Sequence, residues 1–169
     1  MPKNVDLVFW HYGEEALDCD DDMLKKNLAF GNNVIFCGGL MMWMAPLPEN
    51  MFSYTTTEMG LLAAKANGID EVFTALWCYG KQASDIFTTL LHLQQYAEHT
   101  YKKTVTRDEL KTRFEVCTGA SFDAFMNMSA FHNRTDREYP DFRERFHGQK
   151  FLWQDPLFGK FECFLKGNE

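Results

Sequence analysis

Val34-Ile35-Phe36-Cys37 runs directly into Gly38-Gly39-Leu40-Met41-Met42-Trp43. Its first four residues are apolar without interruption, as in a strand buried on both faces, where a half-exposed strand would alternate. Two other stretches read the same way, Val5 to Trp10 upstream and Val72 to Trp77 downstream. A helical pattern follows each. Asp21 to Phe30 carries Leu24 and Leu28 four apart. Thr56 to Asn67 repeats Met59, Leu62, Ala63 and Ala66 on one face, with a Thr55/Glu58 capping box before it and Gly68 after it. Ser84 to Tyr101 buries Ile86, Leu90, Leu93 and Ala97.

Strand and helix therefore alternate three times, with no tight hairpin signal between strands. That order predicts parallel strands joined by right-handed helical crossovers. The fold class is α/β. Three such units occupy roughly 100 residues, and a closed eight-stranded barrel needs about 250. The expectation is a partial (β/α) barrel over residues 1–101, the last strands of a TIM barrel, followed by a mainly helical C-terminal region over residues 102–169. In that region Thr106 and Glu109 form a capping box before a helix with Leu110 and Phe114. Thr118 to Ala130 reads as a further helix, Arg134 to Gln149 as charged and irregular, and Phe151 to Leu165 as aromatic with a turn at Asp155-Pro156.

The net charge of −7 excludes a main role in binding nucleic acid, since phosphate contacts need clustered Lys and Arg. The five cysteines are odd in number, widely spaced and without a CxxC, which fits neither a disulfide framework nor a zinc ribbon. Reduced thiols, no signal peptide and no apolar run near the roughly 20 residues that cross a bilayer predict a cytoplasmic protein without a membrane partner.

Sites in parallel α/β folds lie at the C-terminal ends of strands. The first strand ends in Trp10-His11-Tyr12, the second runs into Trp43, and the third ends in Trp77-Cys78-Tyr79. Indoles bury the apolar faces of a sugar ring while a few polar groups read its hydroxyl rim. Trp10, Trp43 and Trp77 suit the walls; His11, Tyr12, Tyr79 and Asn50 suit the hydroxyls. The plainer reading is that these aromatics plug a barrel end. Gly38-Gly39 is too far from the following helix to cradle phosphate, and is expected to bend the chain at the rim. His11, Cys37 and Cys78 have no metal-ligand spacing, and a Cys37 or Cys78 nucleophile with His11 as base is no better supported. No metal, cofactor or catalytic residue is expected. His92 and His99 read as structural or solvent-facing.

The run Val34 to Trp43, with Asn50-Met-Phe-Ser53, Thr56-Thr-Glu58, Gly68 to Trp77, Leu93 to Glu98 and Lys150 to Gly159, resembles glycoside hydrolase family twenty, the exo-β-N-acetylhexosaminidases. It is most similar to the bacterial subgroup with a Gly-Gly-Ala-Trp-Lys-Trp segment. The resemblance implies the last three strands of a (β/α)8 barrel plus a helical tail. It implies substrate-assisted cleavage of terminal β-linked N-acetylhexosamine, in which the 2-acetamido group attacks the anomeric carbon and an Asp-Glu pair orients and protonates. That pair belongs to an earlier strand. Glu14, Glu15, Asp18 and Glu49 do not match it, so the isolated chain is expected to be inactive. Phe9 and His11 stand where the family usually has Tyr and Asp, and Tyr79 where it has an acid. Each lost charged hydrogen bond is worth about 1.5–3 kcal/mol. The alternative is a non-catalytic carbohydrate-binding or degenerate barrel protein. Exposed sheet edges would also invite self-association.

Overall fold

A computed structural model describes residues 1–12, 17–41, 48, 50–77 and 85–128. Its order is β1 (Leu7–Trp10), α1 (Leu17–Leu28), β2 (Val34–Met41), α2 (Asn50–Ala66), β3 (Val72–Trp77), a 3-10 turn (Ile86–Thr89), α3 (Leu90–Tyr101), α4 (Arg107–Thr118) and α5 (Phe122–Asn127). The three strands form one parallel sheet in the order β1-β2-β3. The fold is thus mixed α/β, with the predicted parallel strands.

Sequential order has a geometric consequence. Right-handed crossovers between successive neighbours put every connecting helix on one face. Leu7, Phe9, Val34, Phe36 and Leu40, taken from alternate positions, meet Leu24, Leu61, Ala63, Ala64 and Tyr96 in one core. On the other side of β1 and β3, Val8, Trp10 and Phe73 are exposed. Among the described residues the sheet therefore has one helix-covered face and one more open apolar face, exposed at Val8, Trp10 and Phe73 although Cys37 between the last two is buried.

Gly38 and Gly39 are strand residues, not a bend, because β2 continues to Met41. Their smallness serves close approach. A Cβ on Gly38 would lie 2.1 Å from Tyr96 Oη, and one on Gly60 would lie 2.3 Å from Phe36 Cζ. α2 and α3 sit close to the sheet because these positions lack side chains.

Element ends differ from the sequence reading in informative ways. β1 begins at Leu7 and not at Val5. α2 begins at Asn50, so Thr55 and Glu58 are inside it and form no cap. Thr55 Oγ1 instead donates to the Met51 carbonyl at 3.1 Å. The end of α2 is as expected: Gly68 takes φ 67°, and Ile69 N–H donates back to the Ala64 carbonyl at 3.0 Å. The Thr106/Glu109 capping box is formed in full. Thr118 ends α4 and does not open the next helix. Gly119, at φ 69°, terminates α4, and Ser121 caps a shorter α5.

α4 packs on α3, and α5 packs on α2 and α4. Leu91 joins Leu110, Phe114, Phe122 and Met126 in a second core, while Tyr96 of the same helix belongs to the first. Neither His92 nor His99 faces solvent; both are buried. Asn50 Nδ2 donates to the Phe125 carbonyl at 2.5 Å, which leaves its Oδ1 to accept from His92 Nε2 at 3.1 Å. One buried amide thus ties α2, α3 and α5.

Burial depresses the His92 imidazole from 6.5 to about 4, against a smaller opposing effect of Gln95. As pH falls from 6.5 towards 4, the unfolded chain takes a proton that the folded one refuses, so stability falls across that window by up to about 3 kcal/mol. Urea unfolding followed from pH 7 to pH 5 checks this; His92→Gln should flatten the slope. Gly38→Ala and Gly60→Ala should each cost about 1–3 kcal/mol, read by the same measurement.

Candidate functional site

β1 delivers the first three predicted site residues. Trp10 pairs with Cys37, and His11 N–H donates to the Cys37 carbonyl at 3.0 Å. Trp10 lies on the open face and is 52% exposed. Two residues on, Tyr12 returns to that face. Its ring lies over Gly39, where a Cβ would come within 2.7 Å of Cδ1. Trp10 and Tyr12 therefore share the open face beside β2.

His11 goes the other way. Its ring stacks on Phe9 at a centroid distance of 5.7 Å, and Phe9 in turn sits 6.2 Å from Phe36 in the helix-side core. The expected grouping of His11 with Trp10 and Tyr12 on one wall is thus split by strand alternation. Phe9, taken from sequence as a pocket position, is a core residue. Asn50 is not a hydroxyl reader either, since both ends of its amide are engaged inside the fold.

The indoles are also staggered. Cys37 pairs with both Trp10 and Phe73, whereas Trp77 pairs with Met41. Trp77 begins four residues further along the sheet than Trp10, about 13 Å at 3.3 Å per residue. The side chain of Trp77, and all of Trp43 and Tyr79, lie outside the described residues, as do Glu14, Glu15, Glu49 and the side chain of Asp18.

Cys37 is fully buried, and burial pushes its thiol up despite a smaller opposing effect from Ala75. Its Sγ–H points to the Gly38 carbonyl at 3.5 Å. This is the protonated, core-like state, the opposite of an activated nucleophile. Among the described residues no group of three or more His, Cys, Asp or Glu is placed to hold a metal ion. Nor is any described helix long and apolar enough to cross a membrane.

A polar cluster between α2 and α3 was not anticipated. His99 Nε2–H donates to Glu58 Oε2 at 2.9 Å, and Gln95 Nε2 donates to the same oxygen at 3.1 Å. Lys65 Nζ donates to the carbonyls of Lys102 at 2.6 Å and Lys103 at 3.2 Å, and meets His99 Nδ1 at 3.0 Å. An ammonium facing Nδ1 calls for a lone pair there, with the donated proton on Nε2. Burial raises the Glu58 carboxyl, but the hydrogen bonds from His99 and Gln95 outweigh it and hold the group below its ordinary range. Burial also lowers the Lys65 ammonium, partly offset by Glu58. All three of its donors are engaged, so the cluster is a clamp on the end of α3. A cavity of about 740 Å³ borders it, lined by Ile35, Leu61, Phe73, Tyr96 and Tyr101. It lies at the start of β3, the opposite end from the expected rim. Glu58, Lys65 and His99 come from two helices, and nothing in their spacing announces them.

No family model matches the chain, and no curated protein matches its sequence.

Gly39→Ala should push the Tyr12 ring off the sheet at a cost of about 1 kcal/mol, less than Gly38→Ala, because a surface ring moves aside and a buried one does not. Aromatic NMR shifts of Tyr12 against thermal unfolding separate the two.

Proposed function

We propose that this chain is the C-terminal part of a (β/α)-barrel glycoside hydrolase of the β-N-acetylhexosaminidase type, in which Trp10 and Tyr12 form one wall of a pocket for a terminal N-acetylhexosamine. The observation that carries this is the open apolar face. A parallel sheet in sequential order, with its described helices on one side, matches the arrangement of a barrel wall, whose other side faces the barrel interior. Trp10 and Tyr12 lie on that side at the C-terminal end of β1. Trp43, Trp77 and Tyr79 would complete the wall from the next two strand ends.

The chemistry would be substrate-assisted, with the sugar's own acetamido oxygen attacking the anomeric carbon while a carboxylic acid protonates the leaving oxygen. This chain contributes binding and orientation to that reaction and no acid.

A second reading, carbohydrate binding without catalysis, draws support from one detail. The two positions at which the resemblance expects a Tyr and an Asp carry Phe9 and His11, stacked on each other towards the helix layer. Neither partner class includes nucleic acid or a membrane.

The isolated chain should not cleave an aryl N-acetyl-β-glucosaminide, and should bind N-acetylglucosamine in the millimolar range, seen as a change in tryptophan fluorescence. Trp10→Ala should weaken that binding about tenfold, the loss of roughly one aromatic contact. Turnover by this chain, or silence towards the sugar from both the chain and any longer parent, would overturn the proposal. Calorimetric binding by an active-length parent without turnover would select the second reading.

A further inference from the structure

The Glu58–His99–Lys65 cluster has one place where a further proton can go. Glu58 Oε2 accepts the Nε2–H of His99 at 2.9 Å, so the ring gains a proton only at Nδ1. Lys65 Nζ stands 3.0 Å from that atom, and its other donors reach the carbonyls of Lys102 at 2.6 Å and Lys103 at 3.2 Å. Those two residues open the connection from α3 to α4. A proton on Nδ1 removes the acceptor facing the ammonium and sets one N–H against another. It also places imidazolium beside ammonium, and like charges at that distance repel.

We propose that Glu58, His99 and Lys65 form an acid-released latch, in which protonation of His99 drives Lys65 off the Lys102 and Lys103 carbonyls and frees the α3–α4 connection. Burial and sign decide which partner leaves. The His99 side chain is 1% exposed, and as imidazolium it binds the Glu58 carboxylate more strongly. Glu58 stays ionised to accept it, because the bonds from His99 and Gln95 hold its carboxyl below the ordinary range. Lys65 is half-buried on a flexible stem, and burial already disfavours its ammonium. Asp70 and Glu71, just before β3, line the same cavity and offer the released ammonium an acidic wall. No neighbour takes its place. Lys102 is held by Glu109 of α4, and Glu98 faces Arg113 of α4 at 3.9 Å. The phenols of Tyr54 and Tyr96, both pushed up by burial, stay neutral. Val105 packs against the second core, so α4 remains docked and the release is local. It loosens the side of the cavity lined by Tyr101, Lys102 and Lys103. The latch is independent of sugar binding.

Imidazole ordinarily titrates between about pH 8 and about pH 5, and NMR of the whole chain across that range tests the proposal. The His99 ring nitrogen shifts report the proton, and the carbonyl carbon shifts of Lys102 and Lys103 report the latch. All should move with one midpoint, the carbonyls upfield as they lose their donor. Lys65→Met should place both carbonyls upfield at every pH. His99→Gln, whose amide keeps a donor for Glu58, should make the carbonyl shifts flat with pH. His92→Gln should leave the transition where it is, which separates the latch from the global effect of that second buried ring. Carbonyls that stay put while Nδ1 gains its proton would overturn the proposal. So would a ring left unprotonated at Nδ1 until the chain unfolds in acid, a transition that survives His99→Gln, or a Lys65→Met variant with native carbonyl shifts.

Discussion

The contact of the Phe36 ring with the bare Cα of Gly60, and of the Tyr96 hydroxyl with that of Gly38, sets the spacing between sheet and helices. Each glycine sits where a methyl group would overlap a buried aromatic ring or its hydroxyl. Phe36 of β2 and Tyr96 of α3 both belong to the core between sheet and helices. Burial and the adjacent Cys37 push the Tyr96 phenol up to about 12, against the opposing effect of the Thr74 and Thr57 hydroxyls. It therefore acts as a neutral prop.

From that spacing follows the polar interface between α2 and α3. Helices drawn close to one sheet face also lie close to each other, and here they are joined through Asn50, Glu58, Gln95, His92 and His99. Such a network fixes one register, because sliding either helix by a turn would strand a buried carboxylate or imidazole without a partner. Lys65 extends the same logic to the end of α3, where its ammonium satisfies carbonyls that the helix leaves open. α3 buries Leu91 and Tyr96 beside these polar groups and leaves Leu93, Ala97 and Tyr101 exposed.

The sheet has a matching asymmetry. Its sequential strand order fills one face with helices and leaves Val8, Trp10 and Phe73 on the other. Both surfaces, the open sheet face and the outer side of α3, are apolar for a reason that lies in the fold.

Sequence alone determined the strands, their parallel sense, the start of α4 and the end of α2, because each depends on local pattern: continuous apolar runs, a Thr106–Glu109 box, a glycine at 68 with positive φ. It also marked Trp10 and Tyr12, since both stand at a strand end. Tertiary structure alone decided which way each residue faced. One step of alternation sends His11 and Phe9 towards the core and Trp10 to the open face, and a helix starting at Asn50 turns Glu58 from a cap into the partner of a histidine 41 residues away. Pattern can also mislead about burial: on α3 and the 3-10 turn before it, pattern pointed inward with Ile86, Leu90, Leu93 and Ala97, whereas Ile86, Leu93 and Ala97 are exposed and Leu91, His92, Gln95 and Tyr96 are buried. Partnership across elements depends on how closely the layers approach, and glycines beneath two aromatic rings set that distance.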